Sequence, residues 1–428
     1  MVRNMTWLPK SVVCLRYYDR SRFRADAFAA FLLSLQIFPL AIAISIAIGI
    51  HPLYGVSSAA VTALLASIFG DSKIRVGAPN VIFIAVASSL VAREGVLGLC
   101  LSTLFAGILL MFFGAIRLGT AIQVLPRPVA LGFTTGIAVL VVSEQLPNLL
   151  GLSSQIPADR VALGTLTVVQ NISHVESRAV ILAFAALVTI VISRRTLRYV
   201  PAGLIVGVMG ALLVRFGHFP VHTVAAFRGS SPMFPLHLAA ILRFDSFGRI
   251  IAPAFAIAVL VGVESLQALD VATGQTGEST NPDGELLLQG STNLTSAFVG
   301  GLPVSGVPSH TLENVRLGAQ SPIGGILQAV FLVVFLLLAT PVVRFIPFPV
   351  VSALILSSVF SMTTWQEIPR LMKAQRFEAA SWGATSLLTI FADLPTAISV
   401  GMLIGMFLYI RKIQEPALAK LFARLPLW

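Results

Sequence analysis

The chain has 428 residues, 56% of them hydrophobic and 11% charged, and its 29 Lys and Arg against 18 Asp and Glu give a formal net charge of +11. A soluble domain carries about 25% charged residues, so this composition excludes an ordinary soluble protein and leaves lipid as the solvent. The positive charge points to topology and not to nucleic acid, because the basic residues cluster at the ends of apolar stretches.

Residues 1–25 form a basic segment with Arg3, Lys10, Arg16, Arg20, Arg22 and Arg24. It runs straight into an apolar stretch of full span length, so no cleavable signal peptide is expected. A helical span needs about 20 apolar residues to cross about 30 Å of hydrocarbon. In chain order, spans are predicted at 28–50, 53–70, 79–92, 96–117, 127–149, 177–194, 199–216, 250–270, 285–300, 308–317, 322–345, 348–361, 377–393 and 395–411, fourteen in all. With a cytoplasmic N-terminus, the clusters Arg117/Arg127, Arg194/Arg195/Arg198, Arg370/Lys373/Arg376 and Arg411/Lys412/Lys420/Arg424 all fall inside. The outward segment 218–248 holds only Arg228 and Arg243, and the tail 415–428 is cytoplasmic. This is the positive-inside pattern of a multi-pass protein of the cell membrane. Cys14 and Cys100 lie in the basic segment and in an apolar helix, and they make no disulfide framework.

Two predicted spans, 79–92 and 308–317, are too short to cross. Each follows a segment punctuated by glycine and proline, Val76-Gly77-Ala78-Pro79-Asn80 and Ser305-Gly306-Val307-Pro308-Ser309, whose glycines are 229 residues apart. Adding that offset to the first span lands on the eighth, so the chain reads as two halves of seven helices. Seven is odd, and the second half therefore enters the membrane from the opposite face. The expected fold is an all-α polytopic membrane protein of fourteen segments in a seven-plus-seven inverted repeat. Short interrupted segments at matching places in two halves point to a transporter's binding site.

Proline is tolerated in a first helical turn, where its missing N–H would be unpaired anyway, so Pro79 and Pro308 read as helix starts. The amides that follow, at Asn80, Val81 and Ile82 and at Ser309, His310 and Thr311, would carry the positive ends of two helix dipoles, a site for an anion. Gly77 and Gly306 would let a ligand approach the backbone. His310 reads either as a ligand contact or as a satisfied polar side chain. Glu264, within the eighth span, is an ionisable group whose burial in a membrane points to function, such as binding a coupled H+ or Na+. Ala268, one turn on, offers no oxygen, so a sodium cage is poorly furnished, and Glu264 reads equally as a proton site or as a structural carboxyl hydrogen-bonded to a broken helix. Glu313 either turns toward the core with Asn314 or pairs with Arg316. No catalytic constellation, cofactor motif or metal-ligand spacing is present, so an enzyme is not expected.

These motifs resemble the sulfate permease family of anion transporters over nearly the whole chain. The resemblance rests on Pro39-Leu40-Ala41-Ile42-Ala43-Ile44 with Gly49-Ile50-His51-Pro52-Leu53-Tyr54-Gly55, and on Gly132-Phe133-Thr134-Thr135-Gly136 with Gln145-Leu146-Pro147-Asn148. It rests equally on Asn281 to Leu286 with Gln289-Gly290-Ser291-Thr292-Asn293, and on Gly301 to Gly306 followed by Ser309 and Thr311. It implies a uracil-permease-like fold with short strands before half-helices three and ten. A core domain would comprise 26–119 and 249–346, and a gate domain 120–217 and 347–414. It also implies elevator-type transport of a small anion of the sulfate, bicarbonate, chloride or dicarboxylate class. The anion would lie between the two half-helix starts, beside Leu40 and Ile44 of the first span, with a second copy of the chain as a candidate partner. The family often carries arginine where His310 stands, and polar and aromatic residues where Leu40 and Ile44 stand, so a neutral nucleobase-type substrate is the alternative, with an anion channel the third. The chain stops about 15 residues after the last predicted span, so the family's cytoplasmic STAS domain is expected to be absent.

Overall fold

The computed structural model describes residues 10–15, 18–123, 127–152, 165, 168–196, 200–217, 221–224, 247–278, 280–362, 365–373 and 376–392, with 396, 400, 401, 403, 404 and 407 beyond them. Most of the predicted last span, most of the 218–248 segment, the 415–428 tail and the basic residues Arg3, Arg16 and Arg198 lie outside the described residues.

The chain is helical nearly throughout. After α1 (Lys10–Leu15) come α2 (Arg20–Ile48) and α3 (Pro52–Phe69), then strand β1 (Gly77–Pro79), a 3₁₀ turn at Val81–Phe83, and α4 (Ile84–Ala115). The first half closes with α5 (Gly119–Gln123), α6 (Arg127–Leu149), α7 (Ser177–Thr196) and α8 (Ala202–Gly217). The second half has α9 (Phe247–Thr276), α10 (Pro282–Val299), β2 (Val304–Gly306), the nine-residue α11 (Pro308–Arg316), α12 (Ile323–Val343), α13 (Phe348–Met362), α14 (Glu367–Lys373) and α15 (Arg376–Phe391).

Six helices among the described residues are long and apolar enough to cross a bilayer. The other predicted spans are short, bent or outside the described residues. The third and fourth predicted spans are one run that breaks at Gly95, whose φ of 70° is open to glycine and strained for other residues. α2 begins eight residues before the apolar run, because Asp19 caps it by accepting the Arg22 amide at 2.8 Å. Pro308 does open its helix, but Pro79 does not: it ends β1, and Asn80 stands as the cap before the 3₁₀ turn.

The helices pack in two sets. In one, α10 lies on α4, α12 on α3 and α2, and α9 on α4 and α11. In the other, α15 and α13 lie on α6, and α7 on α13 and α8. The α4–α10 contact is a backbone approach at Gly107 and Gly290: a Cβ on Gly107 would sit 2.8 Å from the Gly290 carbonyl, and one on Gly290 2.7 Å from that of Gly107. Small residues at such crossings let helices approach where lipid supplies no hydrophobic drive.

The two strands form an antiparallel ribbon in the register Gly77↔Gly306, Ala78↔Ser305, Pro79↔Val304. Non-helical backbone at membrane depth must find every partner inside the protein, and side chains complete this ribbon. Asn293 accepts the Val304 amide at 3.0 Å and donates to the Val304 carbonyl at 2.8 Å. Ser265 Oγ accepts the Gly306 amide at 2.9 Å. Thr311 Oγ1 accepts the Val76 amide at 3.1 Å, and Asn314 donates to the Ile74 carbonyl at 2.9 Å. Asn314 thus turns into the core, while Glu313 is half-buried and lies 3.9 Å from Arg316.

Beneath the ribbon lies a buried ion pair, Arg75 Nη1 to Glu285 Oε1 at 2.9 Å, each side chain 2% exposed. Gln289 Nε2 donates to the same carboxylate oxygen at 2.8 Å. At the end of α9, Glu278 bonds Lys10 at 3.0 Å and also pairs with Lys73. Burial pushes the Glu278 carboxyl up, but the hydrogen bonds from these two lysines outweigh it and hold it below the usual range. Breaking a buried ion pair by removing one partner costs about 3–5 kcal/mol, whereas replacing both with apolar groups is often near neutral. Arg75→Met is therefore expected to lower the unfolding temperature in detergent sharply, and Arg75→Met/Glu285→Leu to recover most of it; equal losses in both would contradict the pairing.

Candidate functional site

A cavity of about 770 Å³ opens between the two helix sets. The first set contributes Gln36 and Leu40, one turn apart on α2, together with Ser309, His310, Leu312, Glu313 and Arg316 of α11. The second contributes Ile190, Arg194 and Arg195 of α7, Gly203 of α8 and the hydroxyl row Ser357, Ser358 and Ser361 of α13. The first turn of α11 thus faces water, with Ser309 exposed there. Helix α11 starts with Pro308, its cap Val307 offers no side-chain bond, and the Val307 amide is spent on the Val76 carbonyl at 2.9 Å. The amides of Ser309 and His310 precede the first intrahelical bond, that of Thr311 to the Val307 carbonyl at 2.9 Å. The positive end of the α11 dipole is therefore aimed at the cavity. His310 Nδ1 and Ser305 Oγ are buried with no hydrogen-bond partner among the described residues.

The other residues singled out by sequence sit differently. Gly77, Pro79, Asn80 and Val81 are buried and do not line this cavity. Thr311 is buried with its hydroxyl engaged by the ribbon and by the Val307 carbonyl. Ile44 is 1% exposed and points into helix packing, leaving Leu40 as the cavity residue of that pair. The space over the two ribbon glycines is filled by protein: a Cβ on Gly77 would meet Thr62 Cγ2 at 2.5 Å, and one on Gly306 would meet Arg75, Ala268 and Ser265 at 3.0–3.1 Å. Glycine at both places serves close packing of the ribbon against its helices, and the expectation that it leaves room for a ligand is corrected.

Glu264 joins the two halves. Its Oε2 accepts from Asn80 Nδ2 at 2.6 Å, while the next residue, Ser265, holds the Gly306 amide. Consecutive residues of α9 thus brace the start of one short helix and the strand before the other. Glu264 is 3% exposed, beside Thr134, Gln267 and Phe133 in a hollow of about 20 Å³, room for no more than one water-sized occupant.

Sequence reasoning missed Gln36, Arg75, Glu285 and the roles of Asn293 and Ser265. Gln36 had a signal, being a polar residue one turn before Leu40. The Arg75–Glu285 pair had none, since nothing local links positions 210 residues apart. No group of His, Cys, Asp and Glu among the described residues could hold a metal ion.

With this geometry in view, comparison with known proteins gives a consistent result. The profile of the sulfate permease family matches residues 23–385. The Bacillus subtilis protein YvdB, provisionally named a sulfate transporter, is 27% identical over 402 residues, covering 93% of this chain and 76% of its own. The bicarbonate transporter BicA of Synechocystis is 26% identical over 371 residues, 84% of this chain, which spans 65% of the relative's length. Among solved structures, the transmembrane domain of a cyanobacterial BicA superposes with a TM-score of 0.79 at 23% identity, covering 89% of this chain and 98% of that one. The murine Solute Carrier 26 family member A9 anion transporter in its inward-facing state gives 0.85 at 16% identity over 95% of this chain and 71% of its own. These two likenesses establish a shared fold.

The cavity geometry is open to chemical test. A cysteine at Ser309 should react with a charged, membrane-impermeant thiol reagent from one side of the membrane, about tenfold or more faster than a cysteine at Ile44, because thiol reactivity follows exposure. Equal rates at the two positions would remove the cavity from the α11 start.

Proposed function

Because the chain belongs to the sulfate permease family and is a multi-pass membrane transporter of anions, we propose that it is a secondary transporter which binds a small anion at the N-terminus of α11 and carries it by an elevator movement. The observation that carries this reading is the first turn of α11, opening with Ser309 and His310 onto a cavity of about 770 Å³. Amides and a helix dipole hold an anion without a dedicated cation. The cavity's charged side chains are Arg194, Arg195, Arg316 and Glu313, a balance that favours an anion over a neutral nucleobase. The relatives named above are transporters, not enzymes.

The moving body in this proposal is the set α2, α3, α4, α9, α10, α11 and α12 with its ribbon, and the set α6, α7, α8, α13 and α15 is the gate. An inverted repeat of seven plus seven accounts for the packing. The contact of α3 with α12 is mirrored by that of α10 with α4, and the contact of α6 with α15 by that of α13 with α7. The cavity then opens to the cytoplasm, since it holds Arg194 and Arg195 at the end of α7. Glu264, bound to Asn80 at the first short helix, is the proposed coupling group. A proton or cation there changes the charge next to both half-helix starts, and an ionisable group at this depth is expensive unless it serves such a purpose.

Uptake by proteoliposomes tests the reading directly. Ser309→Trp, which fills the cavity at the helix start, should abolish anion uptake while the protein elutes and melts as wild type. Glu264→Gln, which keeps the shape and removes the ionisable group, should leave anion exchange running and eliminate acceleration by an imposed proton or sodium gradient. Full acceleration in Glu264→Gln would assign coupling elsewhere.

A further inference from the structure

The N-terminal turn of α11 has no cation of its own. Its residues Ser309 and His310 supply amides, a hydroxyl and an imidazole, and Arg316 lies two turns away beside Glu313. A divalent anion leaving water needs more compensation than one helix end of about half a charge provides. The cavity contains a candidate on its opposite wall.

Arg194, in the last turn of α7, lines the same cavity as Ser309 and His310. The guanidinium is held in place from behind: Nη1 donates to the Ser357 carbonyl at 3.4 Å and to Ser361 Oγ, both on α13. Among the described residues its hydrogen bonds go only to these neutral acceptors, and the nearest acidic group of the cavity, Glu313, lies on the other body and within 3.9 Å of Arg316. A guanidinium has five donors in a fixed fork, and two neutral acceptors leave donors over for a ligand. α7 and α13 pack on each other, and both belong to the set that does not contain α11.

We propose that Arg194 is an anion-binding residue, so that in this conformation the site is split between the two bodies, amides from α11 on one and a guanidinium from α7 on the other. The inference rests on the reading of the α11 start as the anion site and adds what the second body does. When the bodies slide, Ser309 and His310 travel together and Arg194 stays with α13. The anion is therefore held by both on the side where the cavity now opens, and by α11 alone after the movement. The transporter binds its anion more tightly on that side, and a divalent anion gains more from the guanidinium than a monovalent one. This is a specificity device that places the charge off the carrier and on the frame.

Half-saturation concentrations measured separately from each face, in right-side-out and inverted vesicles with sulfate, bicarbonate and chloride as probes, test this. Arg194→Gln keeps a hydrogen-bond donor for α13 and removes the charge. It should raise the half-saturation concentration on the cavity side by about tenfold or more and leave the opposite face within about twofold, the effect of one charge contact made on one side only. The loss should be larger for sulfate than for chloride. Arg194→Lys should recover most of the affinity. Ser361→Ala, which loosens the anchor but keeps the charge, should shift it far less than Arg194→Gln. An unchanged cavity-side value in Arg194→Gln, an equal shift on both faces, or an identical effect of Ser361→Ala would overturn the proposal while leaving the α11 site standing. A wild-type protein that moves none of the three anions would overturn the parent reading, and this inference with it.

Discussion

The structure depends on one constraint: backbone that leaves the helix at membrane depth has no water to turn to. The ribbon of Gly77–Pro79 and Val304–Gly306 is such backbone, and each exposed group on it would cost several kcal/mol in hydrocarbon. The protein meets the requirement with side chains from three helices. Asn293 of α10 pairs with Val304 as a neighbouring strand would, Ser265 of α9 takes the Gly306 amide, and Thr311 and Asn314 of α11 close the edge at Val76 and Ile74. Together these five bonds tie the ribbon to three helices. The chain break needed to expose a helix end is also what locks the surrounding helices into one body.

The proposed function builds on that locking. With the ribbon rigid, the first turn of α11 can present bare amides to the cavity without collapsing onto its neighbours. Electrostatic sites work when their dipoles are fixed in advance of the ligand. Glu264 and Ser265, adjacent on α9, touch the start of the first short helix and the strand before the second. In the proposed mechanism, this adjacency is how a change of charge at Glu264 would reach both ends of the ribbon. The cavity is asymmetric all the same. It reaches the α11 start and not the 3₁₀ turn at Val81–Phe83, so the two short helices, alike in sequence, do different work in this conformation.

The helices were legible because apolar runs are a bulk property, and six of them among the described residues are long and apolar enough to cross a bilayer. Arg127–Leu149 was read to the residue, and the ends of most others to within a few. The short helix at Pro308 was legible too, since a proline at a first turn is a local signal. Pro79 misled, because the same local signal is equally compatible with a strand end, and only the register with Val304 decides. Gly77 and Gly306 were correctly paired through their spacing, yet the reason for glycine was packing against Thr62 and Arg75, contacts that no local window contains. Arg194 was counted as a topological charge at a span end. Its place facing Ser309 depends on how two helix sets meet, which composition and periodicity do not encode.

The central claim is that the first turn of α11 holds the transported anion. The most direct test is the anomalous density of a heavy anion analogue, selenate for sulfate or bromide for chloride, in crystals of the protein at concentrations that saturate uptake. The account predicts a peak within hydrogen-bonding reach of the Ser309 and His310 amides. A peak confined to another part of the protein, with the α11 start empty, would contradict it.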